Sequence, residues 1–127
     1  MKILLLEDSP TDSLLFAVSL RELTKVQLVK QVSYLEEVKP NLAGIDCAIL
    51  DLRLPACDES DVWNLAKKIK DQVVVLIHSG KSDQTLAFDC AKEGFLFVPK
   101  GNTTQFGMTC AIEYARGVCE REANSGQ

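Results

Sequence analysis

Four short apolar runs punctuate the chain, at residues 3–6, 47–50, 73–77 and 95–98, each the length of a strand covered on both faces. A weaker fifth stretch, 26–32, alternates polar and apolar positions as an outer strand would. Helical spacing fills the intervals, with Phe16, Leu20 and Leu23 in the first and Met108, Ala111, Ile112 and Ala115 in the last. The predicted order is a strand followed by a helix, five times over. Ser9-Pro10-Thr11-Asp12 supplies an N-cap, a proline for the first helical position and an acid for a capping box. Gly94 stands where the fourth helix should stop. Right-handed crossovers turn this order into a doubly wound α/β fold, a parallel sheet with helices on both faces, whose ligands bind beyond the carboxyl ends of the strands.

Composition narrows the picture to one domain. A chain of 127 residues, 46% of them apolar, has room for one core of ordinary size. We expect residues 1–120 to form it and 121–127 to be a polar tail, fraying from about residue 123. A formal charge of -4 with no cluster of Lys and Arg argues against direct binding of nucleic acid or an anionic membrane. The first apolar run is too short for a signal peptide and ends in Glu7 and Asp8. No run approaches the roughly 20 apolar residues of a membrane span. Five cysteines without a C-x-x-C pair read as reduced thiols of a cytoplasmic protein. Cys47, Cys90 and Cys110 fall within apolar patterns and are expected in the core.

The carboxyl ends of the predicted strands carry the candidate chemistry. Glu7 and Asp8 follow the first strand, Asp51 the third, Ser79 the fourth and Lys100 the fifth. Each alone has an ordinary explanation, since acids after strands often cap helices and lysines at strand ends are often solvated. Parallel topology, however, brings these separate ends to one crevice. Three carboxylates within hydrogen-bonding range stay ionised together only if a cation holds them. A hard divalent ion with oxygen ligands suits such a set, and Mg²⁺ keeps water ligands and an open position for a phosphate oxygen.

These residues resemble the receiver domains of two-component response regulators, and the resemblance spans essentially the whole chain. It rests on Glu7-Asp8, on Asp51 with Pro55 four residues later, on Ser79-Gly80, and on Phe97 three residues before Lys100. It implies a flavodoxin-like (βα)₅ sheet of strand order 2-1-3-4-5, with Asp51 as phosphoacceptor. Asp8, Asp51 and the backbone carbonyl of Arg53 would ligate Mg²⁺, and Glu7 would act through a metal-bound water. Ser79 and Lys100 would contact the phosphoryl group. The implied partner is a sensor histidine kinase or a histidine phosphotransfer protein, and the chain would be a phosphoacceptor promoting its own phosphorylation and dephosphorylation rather than an enzyme. Signalling would pass through the face of the fourth helix, fifth strand and fifth helix, a face through which the chain could also form a homodimer. Phe97 stands where tyrosine is commoner; lacking a hydroxyl to hold it at the surface, its ring should already favour the inward position.

Several positions depart from the family pattern. Pro99 precedes Lys100, whereas many members carry proline after the lysine, and this is tolerable because the fifth strand is an edge strand. The loop after Pro55 lacks the usual glycine and reads Ala56-Cys57-Asp58-Glu59-Ser60. Arg53 and Lys81 are unusual cations flanking the phosphoryl position. Either they shield the phosphoryl group from water, or they are solvated or pair with Asp58 and Glu59. Trp63 is expected to be a packing residue, and His78, the one histidine, a structural or surface residue whose side chain points away from that of Ser79. Competing readings are a pseudo-receiver serving as a constitutive binding module and a receiver cut from a hybrid kinase. A flavodoxin would need a hydroxyl-rich loop where Glu7 and Asp8 stand, and a haloacid-dehalogenase-like phosphatase would need a second Asp at position 53.

Overall fold

A computed structural model describes residues 1–21, 26–80, 84–100 and 104–125. In chain order the elements are β1 (Lys2–Leu6), α1 (Pro10–Arg21), β2 (Gln27–Val32), two single-turn 3₁₀ helices (Leu35–Glu37 and Lys39–Asn41), β3 (Cys47–Asp51), α2 (Glu59–Ile69), β4 (Val74–Ser79), α3 (Gln84–Glu93), β5 (Leu96–Pro99) and α4 (Thr104–Ser125). The five strands form one sheet of order β2-β1-β3-β4-β5, and every pairing is parallel. This is the doubly wound, flavodoxin-like arrangement expected from the sequence. The helices expected as fourth and fifth are α3 and α4.

The second crossover differs from the expectation of an α-helix. Pro40 lies in its middle, where a continuous helix would place the ring against the carbonyl of residue 36 and lose an amide donor. The chain makes two 3₁₀ turns instead, and Asn41 Nδ2 donates to the Glu37 carbonyl at 2.7 Å. Val38 and Leu42 still bury their side chains, so the crossover covers the sheet without a regular helix.

Alternation along the strands divides the core in two. Leu4, Leu6, Ala48, Leu50, Val75 and Ile77 pack with Val62, Ala66 and Ile69 of α2 and Cys90 of α3. Ile3, Leu5, Cys47, Ile49, Leu76 and Val98 face the other way, against Phe16 and Leu20 of α1 and Met108, Ile112 and Ala115 of α4. Trp63 is partly buried and meets Phe95 edge to face, with ring centroids 5.1 Å apart, as a packing residue should. Gly94 ends α3 with φ 81°, a left-handed conformation that spares glycine the strain of a Cβ.

Two sequence expectations need revision. Cys110 is exposed, because α4 turns Met108, Ile112 and Ala115 inward and position 110 lies on the opposite side of the helix. The segment expected as a tail is helical as far as Ser125. All five cysteines are free, and among the described residues no helix is long and apolar enough to cross a membrane.

Candidate functional site

Three strand ends meet at the carboxyl edge of the sheet. Glu7 follows β1 directly, and its amide donates to the Val32 carbonyl at 3.0 Å, which extends the β1–β2 pairing to the edge of the site. Asp51 is the last residue of β3, fully in the sheet and buried. Asp8 is exposed beside them. Carboxylate oxygens of Glu7, Asp8 and Asp51 lie within 4.8 Å of one another, which brings the three predicted acids together.

Lys100 closes the site from β5. Its backbone amide donates to the Ser79 carbonyl at 2.8 Å, continuing the β4–β5 ladder by one residue and fixing where the side chain starts. Its Nζ then donates to Asp51 Oδ2 at 3.0 Å, Glu7 Oε2 at 3.1 Å and Asp12 Oδ2 at 3.2 Å. An ammonium has three donors, and all three are used. Burial works against the charge of Lys100, but the hydrogen bond and charge of Asp51, then those of Glu7, outweigh it and hold its pKa well above the ordinary lysine value. Burial pushes the Glu7 carboxyl up, opposed by the Ser9 amide that donates to its Oε1 at 3.1 Å; Asp51 adds to the upward push and Lys100 opposes it. A second cation at this cluster would relieve the strain of keeping the acids charged.

Oxygen donors alone, two of them buried, fit a hard divalent ion such as Mg²⁺ and give no reason to expect a softer metal. Glu7, Asp8 and Asp51 are the side chains that would hold it. Arg53, whose backbone carbonyl is expected among the ligands, follows Asp51 by two residues, and its amide donates to Asp51 Oδ1 at 3.0 Å. Both Asp51 oxygens are therefore engaged by the protein.

Two residues contribute more than the sequence suggests. Asp12 is expected in a capping box, but only half of that box exists: its amide donates to Ser9 Oγ at 3.3 Å, while its carboxylate goes to Lys100. The clue in the sequence is position, since Asp12 lies in the first turn of the helix that follows Glu7 and Asp8. His78 pairs in register with Asp51 and so shares its face of the sheet, away from Ser79 as alternation requires. It is buried rather than superficial. Burial, followed by the nearby charge of Lys100, lowers its pKa to about 4, against smaller upward pulls from Asp51 and Asp12. Its buried Nε2 has no hydrogen-bond partner among the described residues.

No protein-family model matches the sequence, and no curated protein sequence matches it. Solved structures do. The signal receiver domain of a putative Luxo repressor protein from Vibrio parahaemolyticus superposes with a TM-score of 0.81 at 16% identity, covering 99% of this chain and 97% of that one. A response regulator receiver domain protein from Clostridium thermocellum gives a TM-score of 0.73 at 25% identity, with 96% of each chain covered. CheY from Borrelia burgdorferi, in its complex with CheX, BeF₃ and Mg²⁺, matches with a TM-score of 0.75 at 16% identity over 88% of this chain and 86% of that one. The chain has the fold of response-regulator receiver domains.

Within this receiver fold, the unusual cation Arg53 pairs its side chain with an acid of α2. Its Nε lies 3.5 Å from Oε1 of Glu59, the first residue of α2, both side chains being well exposed, which matches the alternative of pairing with Glu59. Lys81 lies outside the described residues. The loop without the usual receiver glycine leads into α2 through Asp58, whose amide donates to Asp61 Oδ2 at 3.1 Å. Pro99 ends β5 on the sheet edge, where it is tolerated. Ser79 ends β4, wholly buried, one residue beyond the Asp51–His78 register pair. Phe97 is half-buried, its ring packed against the α2 side of the core.

Proposed function

We propose that the chain is a phosphoacceptor: Asp51 takes a phosphoryl group from the phosphohistidine of a sensor histidine kinase or a histidine phosphotransfer protein, with Mg²⁺ bound by Glu7, Asp8 and Asp51. The observation that carries this reading is the convergence of three carboxylates and the Lys100 ammonium on one point of the receiver fold. The fold alone would host many functions, so the reading rests on those side chains.

An Asp51 oxygen would bond to phosphorus as the bond from phosphorus to the donor's ring nitrogen breaks, the departing imidazole keeping the electron pair. The nucleophile is already an anion, so no general base is needed. Mg²⁺ would neutralise negative charge on the phosphoryl oxygens. Lys100 already sits on Asp51 Oδ2 and would pass to a phosphoryl oxygen as charge moves there, and Ser79 would offer its hydroxyl from the neighbouring strand end. The product is an acyl phosphate open to attack by water, so the mark is temporary. The chain thereby promotes its own phosphorylation and dephosphorylation, and is not an enzyme with a separate substrate. A shift of Ser79 toward the phosphoryl group, followed by the Phe97 ring, would carry the signal to the face of α3, β5 and α4. That face would dock a protein partner or a second copy, and a cytoplasmic setting follows from the donor.

Incubation with acetyl phosphate and Mg²⁺ followed by intact-mass measurement tests the reading. The wild type should gain one phosphoryl group and Asp51→Asn none, with unchanged circular dichroism. A stable adduct on Asp51→Asn would refute the assignment, and no adduct on the wild type would indicate a constitutive binding module.

A further inference from the structure

We propose that Asp12 is a positioning residue that keeps Lys100 at the site throughout the phosphorylation cycle. The inference rests on the phosphoacceptor reading and deepens it. At a capping-box position the carboxylate of Asp12 has a local partner within reach, the amide of the N-cap residue Ser9. That amide is taken by Glu7 Oε1, and Asp12 Oδ2 lies 3.2 Å from Lys100 Nζ instead. The helix start thereby forgoes one of its own hydrogen bonds, and the carboxylate ties α1 to the end of β5, 88 residues away.

The three partners of Lys100 differ in what phosphorylation does to them. Asp51 becomes an acyl phosphate, and its oxygen loses the negative charge that makes it a strong acceptor. Glu7, buried beside Asp51, belongs to the acid set that would hold the metal and must share its charge with it. Asp12 stands outside that set, anchored on the first turn of α1, and its charge is unaltered by either event. It is therefore the one partner that can hold the ammonium in place while the other two change, so that Lys100 meets the phosphoryl oxygens without being drawn into solvent. His78, a further basic group near Asp12, is neutral at physiological pH and does not compete.

Asp12 is partly solvent-exposed, so the effect should be modest. Phosphorylation by acetyl phosphate in Mg²⁺, followed by intact mass, should slow about three- to fivefold in Asp12→Asn. Asp12→Glu should recover most of the rate. In a Lys100→Met background, Asp12→Asn should change nothing, because Asp12 acts only through the ammonium. A merely structural role of Asp12 in α1 would slow both backgrounds alike, and that result would overturn the proposal. So would an unchanged rate in the single variant. If Lys100→Met does not fold, the ¹Hε and ¹³Cε resonances of Lys100 decide: with beryllofluoride bound, they should move in Asp12→Asn and return in Asp12→Glu, and resonances that stay fixed refute the contact. Absence of any adduct on the wild type would instead defeat the phosphoacceptor reading itself, and this inference with it.

Discussion

His78 should make the protein lose stability on mild acidification, and by a predictable amount. Its ordinary pKa of 6.5 falls to about 4 in the folded chain, because burial and the Lys100 charge disfavour the imidazolium. Between those values the unfolded chain binds a proton that the folded chain refuses, so stability present above pH 6.5 is lost as pH falls toward 4. Each pH unit between the two values is worth about 1.36 kcal/mol, so the full loss approaches about 3 kcal/mol, of which about 2 kcal/mol has gone by pH 5. The residue is only 7% exposed, so screening by solvent reduces this little. Glu7 works in the opposite sense: its raised pKa lets the folded chain take up a proton more readily on acidification, which adds stability. Comparison with His78→Gln removes that contribution, since the amide does not titrate and Glu7 is common to both. Urea unfolding at pH 7.5 and pH 5 should show the wild-type midpoint falling by about 1 M more than that of the variant, given about 2 kcal/mol per molar urea. Equal losses in the two proteins would refute the burial of a neutral imidazole beside Asp51.

Three further outcomes follow from the site. Asp8→Ala should abolish weak Mg²⁺ binding in an NMR titration, and a variant that titrates like the wild type would move the metal elsewhere. Because Arg53 is engaged with Glu59, Arg53→Asn should leave the decay of the phosphorylated protein within about twofold of wild type, as expected for an exposed pair; a larger change would restore the shielding role. With beryllofluoride, backbone shift changes across α3, β5 and α4 should be modest, since Phe97 is already packed against the core; large changes with the ring outward in the free protein would contradict this.

The strands are legible because β1, β3 and β4 are buried on both faces and β5 partly so, and burial on both faces writes itself as an uninterrupted apolar run. Their ends then locate Glu7, Asp51, Ser79 and Lys100, since topology converts strand order into proximity. The second crossover departs from the repeating strand-helix pattern at Pro40, a breaker visible in the sequence that outweighs the repeat. Cys110 escapes the core because an apolar neighbourhood does not give helical phase. Asp12 is hidden for a different reason: the capping box is a sufficient local explanation, and only the three-dimensional position of Lys100 reveals a stronger claimant for its carboxylate. The burial of His78 is equally invisible in the sequence, because alternation gives the direction of a side chain along a strand but not what covers it there.

Pro99 has a consequence for how copies of this chain avoid one another. Its neighbour Lys100 directs its amide toward β4, and successive residues of a strand address opposite sides, so the nitrogen of Pro99 faces away from β4. No ladder bond is lost by placing proline there. An intruding strand, however, would find no donor at that position, on an edge already only four residues long. Unpaired edge strands invite stacking of molecules edge to edge into aggregates, and here the outer strand β5 is blunted at the residue that leads into Lys100.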